Sequence, residues 1–156
     1  MLPVTPLDII KIINELKNTN TVGYDGVSTK VIKYIKDSIS QPLAHIINNC
    51  ITDGIFPTHL KKVIIKPIFK KNDKSDIKNY RPVAKIPVFS KIIEKVIYNA
   101  LYNYFEKNKL LCHEQKGFRK NSTINMALYD LLSNIMTSVD KKSPVCAIYT
   151  DMSKAF

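Results

Sequence analysis

Apolar positions along the chain change their period as it proceeds. Between residues 5 and 16, Ile9, Ile10, Ile12, Ile13 and Leu16 recur at helical spacing behind Thr5-Pro6-Leu7-Asp8. That opening is a helix start: Thr as N-cap, Pro at the first helical position and an acid at the third. The helix is predicted to stop near Asn18 to Asn20. Gly23-Tyr24-Asp25-Gly26 reads as a turn, after which Ser28 caps a helix with Val31, Ile32 and Ile35 inward. A further helix carries Leu43, Ile46, Ile47, Cys50 and Ile51 to a C-terminal stop at Gly54. The first third of the chain is therefore expected to be a helical layer.

The pattern then shortens. Val63-Ile64-Ile65-Lys66-Pro67-Ile68-Phe69 is a β-branched run of strand length, and a second extended piece is expected over 80–86, across the polar stretch 70–79. Pro67, Pro82 and Pro87 each lack a ladder donor, which predicts edge or irregular strands. Helical spacing returns over 88–107 in Ile92, Ile93, Val96, Ile97, Leu101 and Phe105, with Ser90 near the start. A loop over 112–121 leads to a helix begun by Ser122 or Thr123 and lined by Leu128, Leu131, Leu132 and Ile135. Last comes Val145-Cys146-Ala147-Ile148-Tyr149-Thr150, expected to be a buried strand ending in Asp151. Helices with a few strands predict an α+β fold.

At 156 residues, 45% of them hydrophobic, the chain is long enough for one core and too short for two ordinary domains. Neither a leader-like N-terminus nor an apolar run of membrane-spanning length is present in the sequence, so an intracellular protein without membrane association is expected. Cys50, Cys112 and Cys146 are odd in number and far apart, which fits free thiols in a reducing compartment; they are expected as buried small hydrophobes.

The formal net charge is +11, and it is confined. Residues 1–60 hold five Lys and five acids, and residues 121–156 three of each, whereas residues 61–120 hold fourteen Lys and two Arg against five acids. One stretch of the fold should thus present a positive surface suited to phosphate. Heavy use of Lys, Asn and Ile would also follow from an AT-rich genome, but that bias does not confine the charge to one segment.

Among 24 basic residues only Arg81 and Arg119 are Arg, both within that segment and beside Pro or Gly. Guanidinium can grip phosphate oxygens bidentately, which an ammonium cannot. Taken singly, each would more often be a structural ion-pair residue than a ligand contact, but together in one basic segment they favour phosphate contact. Asp151 at a strand end could hold a metal ion, or it could cap the next helix with Ser153. Zinc has little support: no Cys-x-x-Cys pair exists, and Cys112 and His113 are adjacent.

Four blocks carry a family likeness. Asn79-Tyr80-Arg81-Pro82-Val83, Val88-Phe89-Ser90-Lys91-Ile92-Ile93-Glu94-Lys95, Gln115-Lys116-Gly117-Phe118-Arg119-Lys120-Asn121-Ser122-Thr123 and Asp151-Met152-Ser153-Lys154-Ala155-Phe156 resemble, in order and approximate spacing, consecutive blocks of non-LTR retrotransposon reverse transcriptases. Upstream, Gly23-Tyr24-Asp25-Gly26, Asp53-Gly54-Ile55-Phe56-Pro57 and Pro67-Ile68-Phe69-Lys70-Lys71 resemble that family's N-terminal extension. The family usually has Pro where Tyr24 stands and an aromatic or small residue where Lys116 stands, and its loop is commonly one residue longer near Lys120-Asn121.

The resemblance implies the fingers and first palm strand of a right-hand polymerase: a helical extension over 1–60, basic fingers over 61–140 and the start of an incomplete palm over 141–156, without a thumb. It implies an RNA-directed DNA polymerase that copies an RNA template from a DNA primer or target using deoxynucleoside triphosphates and two Mg²⁺. Asp151 would be the first metal-binding carboxylate, with the Met152 carbonyl assisting. Phe156 would lie under the incoming sugar. Arg81, with Lys70 and Lys85 as further candidates, would reach the nucleotide phosphates, and Gln115, Gly117, Phe118 and Arg119 would grip the template. Such a protein would work in the cytoplasm and nucleus. Because the family's paired Asp block is absent, these residues alone are expected to be inactive as a polymerase, and a catalytically dead nucleic-acid-binding remnant is the alternative reading.

Overall fold

The computed structural model describes residues 3–112 and 114–150. Five α-helices and one hairpin follow in the order α1 (Pro6–Glu15), α2 (Thr29–Tyr34), α3 (Lys36–Asp53), β1 (Ile64–Phe69), β2 (Tyr80–Lys85), α4 (Val88–Lys107) and α5 (Ile124–Asp140), with single 3-10 turns at Thr58–Lys61 and Ile77–Asn79. The architecture is mixed: helices with a two-stranded antiparallel sheet. The chain forms two compact units that divide after Lys107.

The first unit is built on apolar helical stripes. Ile9, Ile12 and Ile13 of α1, Ile32 of α2, Leu43, Ala44 and Ile47 of α3, and Val88, Ile92, Ile93 and Val96 of α4 form one core. Their spacings of three and four residues put each set on one helix face. Each fully buried Ile contributes roughly 1.5–3 kcal/mol relative to exposure, so this core is where the unit's stability resides.

Local chemistry fixes the ends. Thr5 and Asp8 form a reciprocal capping box, the Thr5 side chain accepting from Asp8 N and the Asp8 carboxylate accepting from Thr5 N. Ser28 caps α2 by accepting from Val31 N, and Gly54 ends α3 in the left-handed region at φ 66°. The first helix stops at Glu15, earlier than its apolar period predicts, because Leu16 turns to extended backbone.

Three polar contacts tie loops to this core. The Asn48 amide accepts from Val4 N at 2.8 Å and donates to Val4 O at 2.9 Å. Tyr24 OH donates to His59 O at 2.6 Å, and Ser90 Oγ, fully buried, donates to Leu60 O at 2.7 Å. The last two hold the turn from which β1 departs, so the start of the hairpin is anchored although its strands lie in solvent.

Several sequence expectations are corrected. Val31 and Ile46 are half exposed, because the neighbours Ile32 and Ile47 occupy the core-facing direction. Cys50 is only partly buried, and Cys112 and Cys146 are exposed. No side chain of α5 is buried, and Leu101 and Phe105 in the second half of α4 are exposed. The expected buried strand over 145–150 is neither a strand nor buried. A strand exists through its ladder, and among the described residues none pairs with this run. None of the described helices is long and apolar enough to cross a membrane.

Candidate nucleic-acid interface

The hairpin register pairs Ile64 with Lys85, Lys66 with Val83, Pro67 with Pro82, Ile68 with Arg81, and Phe69 with Tyr80. Side chains alternate between faces along a strand, and directly paired residues share a face. One face therefore carries Ile64, Lys66, Ile68, Arg81, Val83 and Lys85. The other carries Ile65, Pro67, Phe69, Tyr80, Pro82 and Ala84. Every cation of the two strands falls on the first face.

The prolines cost the hairpin no rung. Lys70 N donates across to Asn79 O at 2.8 Å, so the even-numbered amides of β1 point inward and position 67, like its partner 82, points away. What they remove is an outward donor at each edge, which blunts pairing with another strand.

Residues 70–79 are organised by their own acids. Asp73 accepts from Ser75 N at 2.9 Å and from Ser75 Oγ at 2.6 Å, and these bonds, the hydroxyl's foremost, lower its pKa from the ordinary 3.8. Asp76 accepts from Lys78 N, Asn79 Nδ2 donates to Asp73 O, and Tyr80 OH donates to Lys74 O. Phe69 meets Tyr80 edge-on at 5.6 Å, with Lys74 Nζ 5.7 Å from the Phe69 ring centre. The carboxylates are thus engaged by the loop itself, leaving Lys70, Lys71 and Lys78 exposed and without an ion pair among the described residues.

Among the residues proposed from sequence, Arg81 is exposed and Lys85 half-buried on one face, and Lys70 follows β1 directly. Sequence reading passed over Lys66, which the register places with them. Its signal was available in the shared parity of Lys66, Arg81 and Lys85 once the hairpin pairing is known.

The second unit holds the other set. The Cys112 carbonyl accepts from Gln115 N at 3.2 Å and from Arg119 Nη1 at 2.9 Å, so Arg119 clamps its own loop. Lys116 Nζ lies 2.9 Å from Asp130 Oδ2 of α5, anchoring the loop to the helix, which Thr123 caps by accepting from Met126 N. Phe118 has φ 61° and a fully exposed ring. A bulky residue in the left-handed region is strained, and no packing repays it here. Gly117 is not at positive φ, and a Cβ there would meet nothing within 4 Å. The described fold gives no steric reason for glycine at 117.

Asp151, Met152 and Phe156 lie outside the described residues. Among the described residues no group of three or more His, Cys, Asp or Glu could hold a metal ion.

No protein-family profile matches the chain. Curated proteins do. It is 26% identical over 159 residues to the "Probable RNA-directed DNA polymerase from transposon BS" of Drosophila melanogaster, covering 99% of this chain and 18% of that protein. The RNA-directed DNA polymerases from mobile element jockey of Drosophila melanogaster and Drosophila funebris are 27% and 24% identical, covering 98% and 99% of this chain and 17% of each protein. The chain therefore spans less than a fifth of these relatives. Over nearly its whole length it is similar to the RNA-directed DNA polymerases of non-LTR retrotransposons.

Proposed function

We propose that this chain is a fingers-bearing segment, with the first palm block, of an RNA-directed DNA polymerase that copies an RNA template into DNA. The observation that carries this reading is similarity along 98–99% of the chain to proteins of that name. A cationic hairpin face and a loop whose acids are self-satisfied support it, since both leave positive charge for phosphate. The residues 1–60, 61–140 and 141–156 are the helical extension, fingers and palm start in this assignment.

Arg81 takes the phosphates of the incoming deoxynucleotide, with Lys70 and Lys85 as alternative carriers of that charge. Gln115, Gly117, Phe118 and Arg119 meet the template. Phe118, strained and exposed, offers a ring for a base to stack on. Asp151 and the Met152 carbonyl would be ligands of Mg²⁺, which when bound supplies activation of the primer hydroxyl and neutralisation of the leaving pyrophosphate. One carboxylate is not a two-ion site, and the described residues hold no cluster that completes it. The full protein's work in cytoplasm and nucleus belongs to the same proposal.

The experiment is a comparison of conservative substitutions in the complete protein. Arg81→Lys should raise the nucleotide KM or lower kcat while sparing template-primer binding, and Arg119→Lys should do the reverse. Equal loss of template-primer binding in both, with nucleotide use untouched, refutes the division of roles. The 156-residue chain itself should bind RNA with steep salt dependence and show no primer extension.

A further inference from the structure

The loop over 112–121 is held on either side of Phe118. Two residues before the ring, Lys116 Nζ lies 2.9 Å from Asp130 Oδ2 in the second turn of α5. One residue after it, Arg119 Nη1 donates to Cys112 O at 2.9 Å and closes the loop on its own start. Phe118 itself sits at φ 61° with its ring fully exposed, so packing does not hold the backbone there. A bulky residue persists in the left-handed region only where its surroundings fix it, and here the two polar clamps bracket it.

Charge counting alone would assign Lys116 to a phosphate, since it belongs to the basic segment 61–120. Its geometry says otherwise. The Lys116 side chain is only 18% exposed, against 49% for Asp130, and its ammonium is already met by that carboxylate. A concavity of about 460 Å³ lined by Lys116 and by Ala127, Asp130 and Asn134 of α5 remains beside the pair, so the loop bridges to the helix instead of packing flat on it. The pair therefore acts as a strut. It restricts the loop before any ligand arrives, and ordering done in advance is not charged against binding.

We propose that Lys116 and Asp130 are positioning residues for the template: their ion pair presets the loop so that the Phe118 ring is presented to a base, and Lys116 itself takes no phosphate. The inference rests on the template role given to this loop above and deepens it by two residues, neither of which touches the strand.

The test uses the whole 156-residue chain and a labelled oligouridylate, with binding followed by anisotropy from low to moderate salt and a melting curve for every variant. Lys116→Met and Asp130→Asn should each weaken binding by about two- to fivefold, the scale of a partly shielded ion pair, and the double variant should be no weaker than either. The log-log salt slope should stay as in wild type in all three, because no phosphate contact is lost. Reversing the pair, Lys116→Asp with Asp130→Lys, should restore most of the affinity. Asp140→Asn, the same charge change at the last residue of α5, should cause no weakening. In a Phe118→Leu background, which lacks the ring, breaking the pair should have no further effect. Asp130→Asn decides between the two roles for Lys116. If Lys116 were a phosphate contact, removing the neighbouring carboxylate would free it and tighten binding, and Lys116→Met would lower the slope by about 0.7; either result overturns the proposal. Asn keeps the shape of a half-exposed Asp130, so that sign can be read even where Lys116→Met melts early. Unchanged affinity in both single variants also refutes the strut, as does a full effect of breaking the pair in the Phe118→Leu background. If the wild type shows no salt-dependent binding, the nucleic-acid reading itself falls.

Discussion

Ser90→Ala removes a methyl-sized polar group from the best-packed part of the first unit, and its cost can be worked from the contacts. Ser90 is fully buried at the start of α4, and its hydroxyl donates to Leu60 O at 2.7 Å. Alanine fits the same space, so neither cavity nor overpacking enters. What changes is that the Leu60 carbonyl loses its donor in a region with little access to water. An acceptor left unsatisfied costs about 1–3 kcal/mol, and partial burial of this bond favours the lower half, about 1–2 kcal/mol. Alanine's better helix propensity returns a few tenths. With a urea m-value of roughly 2 kcal/mol/M, the midpoint should fall by about 0.5–1 M. Thr52→Ala is the matched control: Thr52 Oγ1 donates to Asn48 O at 2.9 Å on an exposed surface, so its loss should change stability by less than about 0.5 kcal/mol. Urea titration followed by far-UV circular dichroism reads both. A Ser90→Ala midpoint indistinguishable from wild type would refute the claim that this hydroxyl anchors the turn leading into the hairpin.

Other outcomes follow from particular residues. Gly23→Ala should cost about 1–3 kcal/mol, because the new Cβ would stand 2.8 Å from Pro87 Cα, backbone that cannot swing aside; Gly54→Ala, with open space but φ 66°, should cost only about 1 kcal/mol of conformational strain, and melting curves distinguish the two. Phe118→Gly should raise stability by about 1 kcal/mol by relieving a positive φ, yet weaken RNA binding if the exposed ring stacks on a base. Asp8 has its pKa lowered from 3.8, chiefly by the Thr5 hydroxyl and then the Thr5 amide. Its stabilising effect is therefore fully present above the unfolded value and lost as pH falls through the lowered folded one, so Asp8→Asn should flatten stability against pH in the acid range below about 5. Denaturant midpoints across that range give the measurement.

Much of this protein was legible in its sequence because it is local. The Thr5 cap, the Ser28 cap, the Gly54 stop and the extents of α4 and the hairpin follow from short-range propensity, capping chemistry and period, which the chain carries wherever it goes. The confinement of charge to 61–120 and the two isolated arginines were equally available, as was the family likeness that whole-chain comparisons match. Met152 and Phe156 were named from that likeness alone, Asp151 also from its place at an expected strand end, and all three lie outside the described residues. What needed tertiary structure was everything that depends on a partner. Lys66, Arg81 and Lys85 share a face only because the register sets Lys66 against Val83 and Lys85 against Ile64; a slip of one residue would separate them. Ser90 and Gly23 look unremarkable until Leu60 O and the Pro87 backbone stand beside them. The same dependence explains the failures. The apolar run over 145–150 is an adequate strand by composition, and α5 an adequate amphipathic helix, yet neither is buried among the described residues. Periodicity says which face of an element would be covered, and only packing decides whether anything covers it.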